Sequence, residues 1–237
     1  MAVQRCRTTV LAVAVMLLSV VAPCQKGQIE KDPHRPICAD TRCRQIRSFL
    51  KANYCGESPF GNGPDDGCDT RQAKKTGRGT KLIADFVCKW NDTDGTSKCE
   101  QRGQPPPKLR TILIREMRRV GLPARADKEV NFTVLEAKSR GWSLVAAIYD
   151  HISGDYLTLC QVIVVIDQSG QPHVLRTVRL QKTSAYESDV TTWAPVDIAD
   201  VEGDGRVEFV LEGDSLEDHW FEVVSPHGDS FETIFVQ

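Results

Sequence analysis

The sequence predicts an α+β protein: a small disulfide-tied N-terminal module with two helices, followed by a mainly antiparallel β domain. Three observations support this prediction. Six of the nine cysteines lie between Cys38 and Cys99. Two segments carry apolar residues at helical spacing. From about Val130 onward, apolar residues instead recur with a period of two, which is typical of strands.

The 237 residues fit one large domain or two small ones. They are too few for a complete propeller, whose blades take about 40–50 residues each. We expect a signal peptide over 1–24, a linker over 25–37, a Cys-rich module over 38–104, and a helix plus antiparallel β domain over 105–237.

The first residues have the organisation of a secretory signal peptide. Arg5 and Arg7 precede an apolar run from Val10 to Ala22 that is too short for a membrane span. Cleavage after Ala22 or after Cys24, and lipid attachment at Cys24, are the alternatives for processing, and an uncleaved N-terminal helix is the alternative to export. The sequence therefore predicts a secreted or periplasmic protein without a membrane span.

Cysteine usage agrees with export, because clustered cysteines form disulfides in an oxidising compartment. Six cysteines allow 15 pairings, and the sequence does not choose among them. Zinc is the competing interpretation, but CxxC is absent from the sequence and the spacings match no common zinc module. Cys160 lies in an apolar run, so we expect a buried free thiol rather than a nucleophile.

Two helices are predicted. The first runs from Asp40, whose side chain caps the first amides, to Tyr54. The second runs from Pro107 to Val120, and Gly121 with Pro123 marks its end. Between them, Cys55–Cys68 holds four glycines and two prolines and is therefore a loop. If its two cysteines pair, this segment forms a tied-off loop. That appearance is the only support for a third possible function, an inhibitor-like role.

Alternating apolar residues predict strands on both sides of the second helix. The first of them follows the Cys-rich loop. The predicted strands are Lys81–Trp90, Val130–Glu136, Ser143–Tyr149, Leu157–Ile166, Val174–Leu180, Val207–Leu211, Trp220–Val224 and Phe231–Val236. Short strands joined by polar turns favour antiparallel sheets.

The net charge of -2 conceals an asymmetry along the chain. Residues 1–180 carry 28 Lys and Arg against 18 Asp and Glu, whereas residues 181–237 carry 2 against 14. The basic stretch 71–81 lacks the aromatic residues on which bases stack, so we interpret it as a solvated loop and expect no nucleic-acid partner.

The acidic end of the chain contains a pattern suited to calcium. Asp200, Glu202 and Asp204 occupy alternate positions, and Glu208 follows four residues later. Calcium takes six to eight oxygen ligands, which such spacing supplies from one tight loop, with the Arg206 carbonyl adding one more. Gly203 and Gly205 permit the left-handed backbone that this winding requires.

This segment, Asp-Val-Glu-Gly-Asp-Gly-Arg-Val-Glu, resembles in a single copy the calcium loop of FG-GAP and VCBS-type repeats. Those repeats are β-propeller blades of extracellular proteins. The resemblance implies that Asp200, Glu202, Asp204, the Arg206 carbonyl and Glu208 bind calcium, mainly in a structural role. Glu202 stands where the repeat pattern has Asp or Asn, and the Phe-Gly and Gly-Ala-Pro signatures of those repeats are missing.

The common catalytic signatures HExxH, GxSxG, the P-loop and the dinucleotide fingerprint are missing from the sequence. We expect a non-catalytic exported protein whose calcium-stabilised β domain binds a protein or glycan partner. The alternative is an exported glycosidase-like hydrolase using the acids around Asp214–His219, where paired carboxylates lie beside Trp220.

Overall fold

The computed structural model describes residues 40–54, 80–91, 96–137, 140–153, 155–184, 190–215, 219–228 and 230–236, with backbone alone for 87–91 and 96–98. All of them belong to one compact unit, Pro36–Gln237. The signal peptide, the linker and the Cys55–Cys68 loop lie outside the described residues.

The described chain is mostly antiparallel sheet with two α-helices, which confirms the predicted α+β class in its broad form. The helices are α1 (Thr41–Asn53) and α2 (Pro107–Arg119), and a short 3-10 helix covers Ala126–Lys128. The strands are β1 (Thr80–Asn91), β2 (Thr96–Arg102), β3 (Asn131–Ala137), β4 (Trp142–Ser153), β5 (Tyr156–Ile166), β6 (Pro172–Ser184), β7 (Thr192–Ala199), β8 (Glu208–Asp214), β9 (His219–His227) and β10 (Ser230–Val236).

The strands form two sheets. Sheet 1 has six strands in the order β2-β1-β3-β4-β5-β6, and sheet 2 has four in the order β10-β9-β8-β7. Every pairing in both sheets is antiparallel. Sheet 1 contains strands from both sides of residue 104, the predicted end of the Cys-rich module. In it, β1 pairs with β2 on one side and with β3 on the other. The Cys-rich segment therefore contributes strands to the same sheet as the residues that follow it.

Three hydrophobic clusters order the layers as α2, sheet 1, sheet 2 and α1. Leu109, Leu113 and Met117 of α2 pack on one face of sheet 1. The opposite face of sheet 1 packs against sheet 2. Ile46 and Leu50 of α1 cover the far face of sheet 2. Each helix presents buried residues four positions apart, which is the spacing that the sequence predicted.

Both helices begin as expected. The Asp40 side chain accepts a hydrogen bond from the Cys43 amide at 2.7 Å, and it caps α1. Pro107 occupies the first turn of α2, where its missing N–H would have no partner within the helix. The predicted boundaries agree with the observed ones to within a residue at each end.

The cysteines are described only in part. Among the described cysteines, Cys160 is a buried free thiol. Burial raises the pKa of the Cys160 thiol to about 11, so it carries little thiolate at neutral pH, as the apolar run predicted. Cys38, Cys55 and Cys68 lie outside the described residues. The pairing of the six clustered cysteines and the disulfide-tied module therefore stay predictions.

Candidate functional site

The acidic loop connects β7 to β8 at one end of sheet 2. Its two ends meet in the ladder, where Ala199 is the partner of Glu208. Gly203 and Gly205 have φ angles of 72° and 87°, so both adopt the left-handed conformation that the sequence predicted. The loop is therefore a tight turn between two paired strands, and its shape is set by the glycines and by the sheet below it.

Glu208 lies at the base of this loop with none of its surface exposed. One carboxylate oxygen, Oε2, accepts hydrogen bonds from the amides of Val201 at 2.7 Å and Glu202 at 3.4 Å. The other, Oε1, is buried and accepts none from the described part of the chain. Burial raises the pKa of the Glu208 carboxyl, and the nearby charges of Glu202 and Asp204 raise it further, although the two amides act in the opposite direction.

Asp200 shows the same division between its two oxygens. Oδ2 accepts a hydrogen bond from the Gly205 amide at 2.9 Å. Oδ1 is buried, and it has no hydrogen-bond partner among the residues that the structure describes. A buried acceptor without a partner costs about 1–3 kcal/mol, so Asp200 and Glu208 both leave an oxygen for which a cation would compensate.

Asp204 is at the open end of the loop, with 40% of its side chain exposed. Its Oδ1 accepts from the Arg206 amide at 2.9 Å, and its Oδ2 lies 3.5 Å from the Arg206 guanidinium. Both contacts are local to the turn. Because Asp204 is half-exposed, its carboxylate can exchange these neighbours for a cation without disturbing the core.

The remaining two predicted ligands are directed elsewhere. The Glu202 carboxylate pairs with Arg42 of α1, whose Nη2 donates to Oε2 at 2.9 Å and whose Nε donates to Oε1. The Arg206 carbonyl accepts a hydrogen bond from Arg140 at 2.8 Å. Across the described ranges, no group of three or more His, Cys, Asp and Glu side chains is placed to hold a metal ion. The structure thus gathers the predicted residues in one loop without arranging them as a formed ligand shell.

The acids of the alternative hydrolase site lie at the opposite end of β8. Asp214 pairs with His219 across the β8–β9 ladder at 3.0 Å, and their side chains are 53% and 41% exposed. Glu217 and Asp218 lie outside the described residues. Both side chains of this pair are exposed to solvent, and the hydrolase alternative stays a prediction.

A cleft of about 240 Å³ opens between the edge strands β6 and β10. It is lined by His173, Val174, Leu175, Arg176, Ser230 and Phe231. Asp214 and His219 do not line it. His173 is held at its wall by Asp167, which lies 2.9 Å from the ring Nε2, and by a ring contact with Phe231.

Sequence reasoning missed a buried polar cluster between the two sheets. Glu222 of β9 accepts hydrogen bonds from the indoles of Trp193 at 2.9 Å and Trp220 at 3.0 Å, both on Oε1. Its Oε2 accepts from Arg176 of β6 at 2.6 Å and 3.1 Å. Strand alternation places Glu222 on the same face as Trp220, but only the sheet packing brings Arg176 to it. Both carboxylate oxygens of Glu222 therefore have hydrogen-bond donors, and the cluster links β6 of sheet 1 to β7 and β9 of sheet 2.

No protein family, curated relative or solved structure matches the chain. Within the described ranges, neither helix is long and apolar enough to cross a bilayer.

Proposed function

We propose that this protein is an exported, non-catalytic protein whose β domain is stabilised by Ca²⁺ bound in the 200–208 loop and binds a protein or glycan partner. The observation that carries the calcium proposal is the pair of buried carboxylate oxygens, Asp200 Oδ1 and Glu208 Oε1, that lack hydrogen-bond partners in the described chain. Burying a carboxylate is costly unless it is paired or coordinates a metal.

The chemistry of the loop suits calcium better than a transition metal. Its donors are carboxylate and carbonyl oxygens, which hard cations prefer, and the described loop contains neither His nor Cys. Asp200, Asp204 and Glu208 supply carboxylates, and the Arg206 carbonyl becomes available if Arg140 swings away. Water would complete the six to eight oxygens that calcium takes.

Calcium is expected to raise the melting temperature by about 5–10 °C at a concentration near 100 times Kd. This follows because ligand binding at that concentration stabilises the folded state by about 2.7 kcal/mol, and 1 kcal/mol shifts Tm by about 2–4 °C in a domain of this size. EDTA-treated mature protein should be titrated with calcium by calorimetry and melted in parallel, with magnesium as a second titrant.

Glu208→Gln and Asp200→Asn should abolish both the binding heat and the rise in Tm, because each removes a buried charged ligand. Asp214→Asn provides the matched control, since this carboxylate is exposed on the same strand as Glu208. No rise in Tm at 10 mM calcium, or an equal rise in Glu208→Gln, would refute the site.

The export proposal rests on the predicted signal peptide and on the six clustered cysteines, because an oxidising compartment allows such cysteines to form disulfides. Within the proposed disulfide-tied module, we expect Cys99 to pair with Cys88, because the two are direct partners in the β1–β2 ladder. Antiparallel partners have Cα atoms about 4.5–5.5 Å apart, within the range that a disulfide spans. Peptide mapping of the unreduced protein by mass spectrometry tests this pairing, and a peptide linking Cys99 to any other cysteine contradicts it.

A further inference from the structure

We infer that Glu202 is not a calcium ligand but the point at which α1 is fastened to the loop, so that calcium binding and the docking of α1 are coupled. This inference rests on the proposed calcium site, and it assigns Arg42 and Gln45 of α1 as positioning residues for that site.

The first support is the geometry of Glu202. Both of its carboxylate oxygens accept from the Arg42 guanidinium, so the pair is bidentate, and the Glu202 side chain is only 13% exposed. Bidentate pairs fix orientation as well as contributing energy. The Glu202 side chain reaches away from the loop to α1.

The second support is that α1 contacts the backbone of the same loop. Gln45 donates a hydrogen bond to the Glu202 carbonyl. A Cβ added at Gly203 would lie 2.8 Å from the Gln45 amide nitrogen, so the side chain rests directly on this glycine. Val201 is 2% exposed and packs in the same cluster as Ile46 and Leu50. Residues 201–203 therefore form the surface on which one end of α1 sits.

The link between the helix and the cation passes through Glu208. Its Oε2 accepts from the amides of Val201 and Glu202, which are the residues that hold α1, while its Oε1 is the oxygen left for the cation. A cation on Oε1 fixes the carboxylate and, through Oε2, the backbone beneath α1. Coupling of this kind is reciprocal: whatever loosens α1 weakens calcium binding, and calcium strengthens the docking of α1.

Calcium affinities of the full mature chain should be compared for wild type, Arg42→Gln, Arg42→Lys and Gln45→Ala by calorimetry. We expect Arg42→Gln to weaken binding about 10-fold, in the usual range of such couplings, and Gln45→Ala to weaken it by a similar or smaller factor. Arg42→Lys should recover part of the loss. Lys51→Gln, on an exposed position of the same helix, should bind as wild type does. Hydrogen exchange of the α1 amides should slow when calcium is added to wild type, and it should slow less in Arg42→Gln.

Arg42→Gln also distinguishes between Glu202 as a calcium ligand and Glu202 as the residue that holds α1, because it frees the Glu202 carboxylate from the ion pair. If Glu202 were a ligand, its release would tighten calcium binding, and Glu202→Gln would cost far more affinity than Arg42→Gln. Either result overturns the inference, as does equal affinity in Arg42→Gln and wild type. Comparable losses in Arg42→Gln and Glu202→Gln that do not add in the double variant support it. A wild-type protein that binds no calcium refutes the site itself, a result that differs from every one of these.

Discussion

Replacing Arg176 with Met is expected to lower the free energy of unfolding by about 3–5 kcal/mol. Glu222 is 6% exposed between the two sheets, and Arg176 is the cation that pairs with it. Removing one partner of a buried ion pair leaves the other charge without compensation. This destabilises the protein more than replacing both partners does. Urea unfolding at pH 7, followed by circular dichroism and tryptophan fluorescence, measures the loss.

Arg179→Met is the matched control, because Arg179 is an exposed arginine on the same strand. It should change stability by less than about 0.5 kcal/mol. The double variant Arg176→Met with Glu222→Gln replaces the charged carboxylate with an amide that still accepts from the indoles. It should recover most of the loss. If Arg176→Met costs no more than Arg179→Met, the pair does not bind the sheets together.

The same cluster should make stability fall in acid. Burial by itself raises the pKa of Glu222, but hydrogen bonds from Trp193 and Trp220, together with Arg176, outweigh it and hold the pKa below its ordinary value. A carboxyl whose pKa is lowered by folding stabilises the protein above its unfolded pKa of about 4.3 and loses that contribution as the pH falls through the folded pKa. Wild type should therefore lose stability below about pH 4 more steeply than Glu222→Gln does, in unfolding series at pH 7, 5, 4 and 3.

The local signals in the sequence predicted the elements that bury a continuous apolar stripe. Asp40 and Pro107 marked the helix starts, and helical spacing of apolar residues marked one buried face on each helix. Two strands were missed for physical reasons. β2 is an edge strand, with the sequence TSKCEQR, and it carries no apolar alternation. β7 contains a proline and an aspartate, so its sequence resembles a turn, although the ladder tolerates Pro195 at a register shift on the sheet edge.

The candidate site was predictable as a loop but not as a ligand set. The spacing of Asp200, Asp204 and Glu208 reports where oxygens fall along the backbone, and the structure gathers all three in one turn. The spacing does not show which of these oxygens accept hydrogen bonds from residues far away in the sequence. Arg42 is 160 positions away from Glu202 in the sequence, and only the packing of α1 on sheet 2 brings them together. Because of such long-range partners, a local sequence pattern can predict more metal ligands than the folded loop offers.

Replacing Asp197 with Ala is expected to cost about 3 kcal/mol, because this buried carboxyl joins three segments that are far apart in the chain. Asp197 is 1% exposed, and its Oδ2 accepts from the Tyr54 hydroxyl at the end of α1 at 2.6 Å. Its Oδ1 accepts from the Thr80 hydroxyl at the start of β1 and from the Ile198 amide. Burial and the neighbouring Asp197 charge raise the pKa of Tyr54, so its hydroxyl stays protonated and able to donate.

Removing Asp197 takes the acceptor from the Tyr54 hydroxyl and the Ile198 amide, at about 1–3 kcal/mol for each buried group left unsatisfied. The Thr80 hydroxyl is half-buried and keeps the Ile198 carbonyl, at 3.2 Å, as an acceptor. Tyr54→Phe removes only one donor and should cost about 1 kcal/mol, while Asp214→Ala, at an exposed carboxylate of the same sheet, should cost less than about 0.5 kcal/mol. Urea unfolding measures the global loss, and hydrogen exchange locates it. If Asp197 fastens α1 to the sheets, the α1 amides should lose protection before the strands do. Uniform loss across both sheets, or an Asp197→Ala variant as stable as Asp214→Ala, would contradict that role, because the contacts of α1 with the 200–208 loop would then suffice to hold the helix.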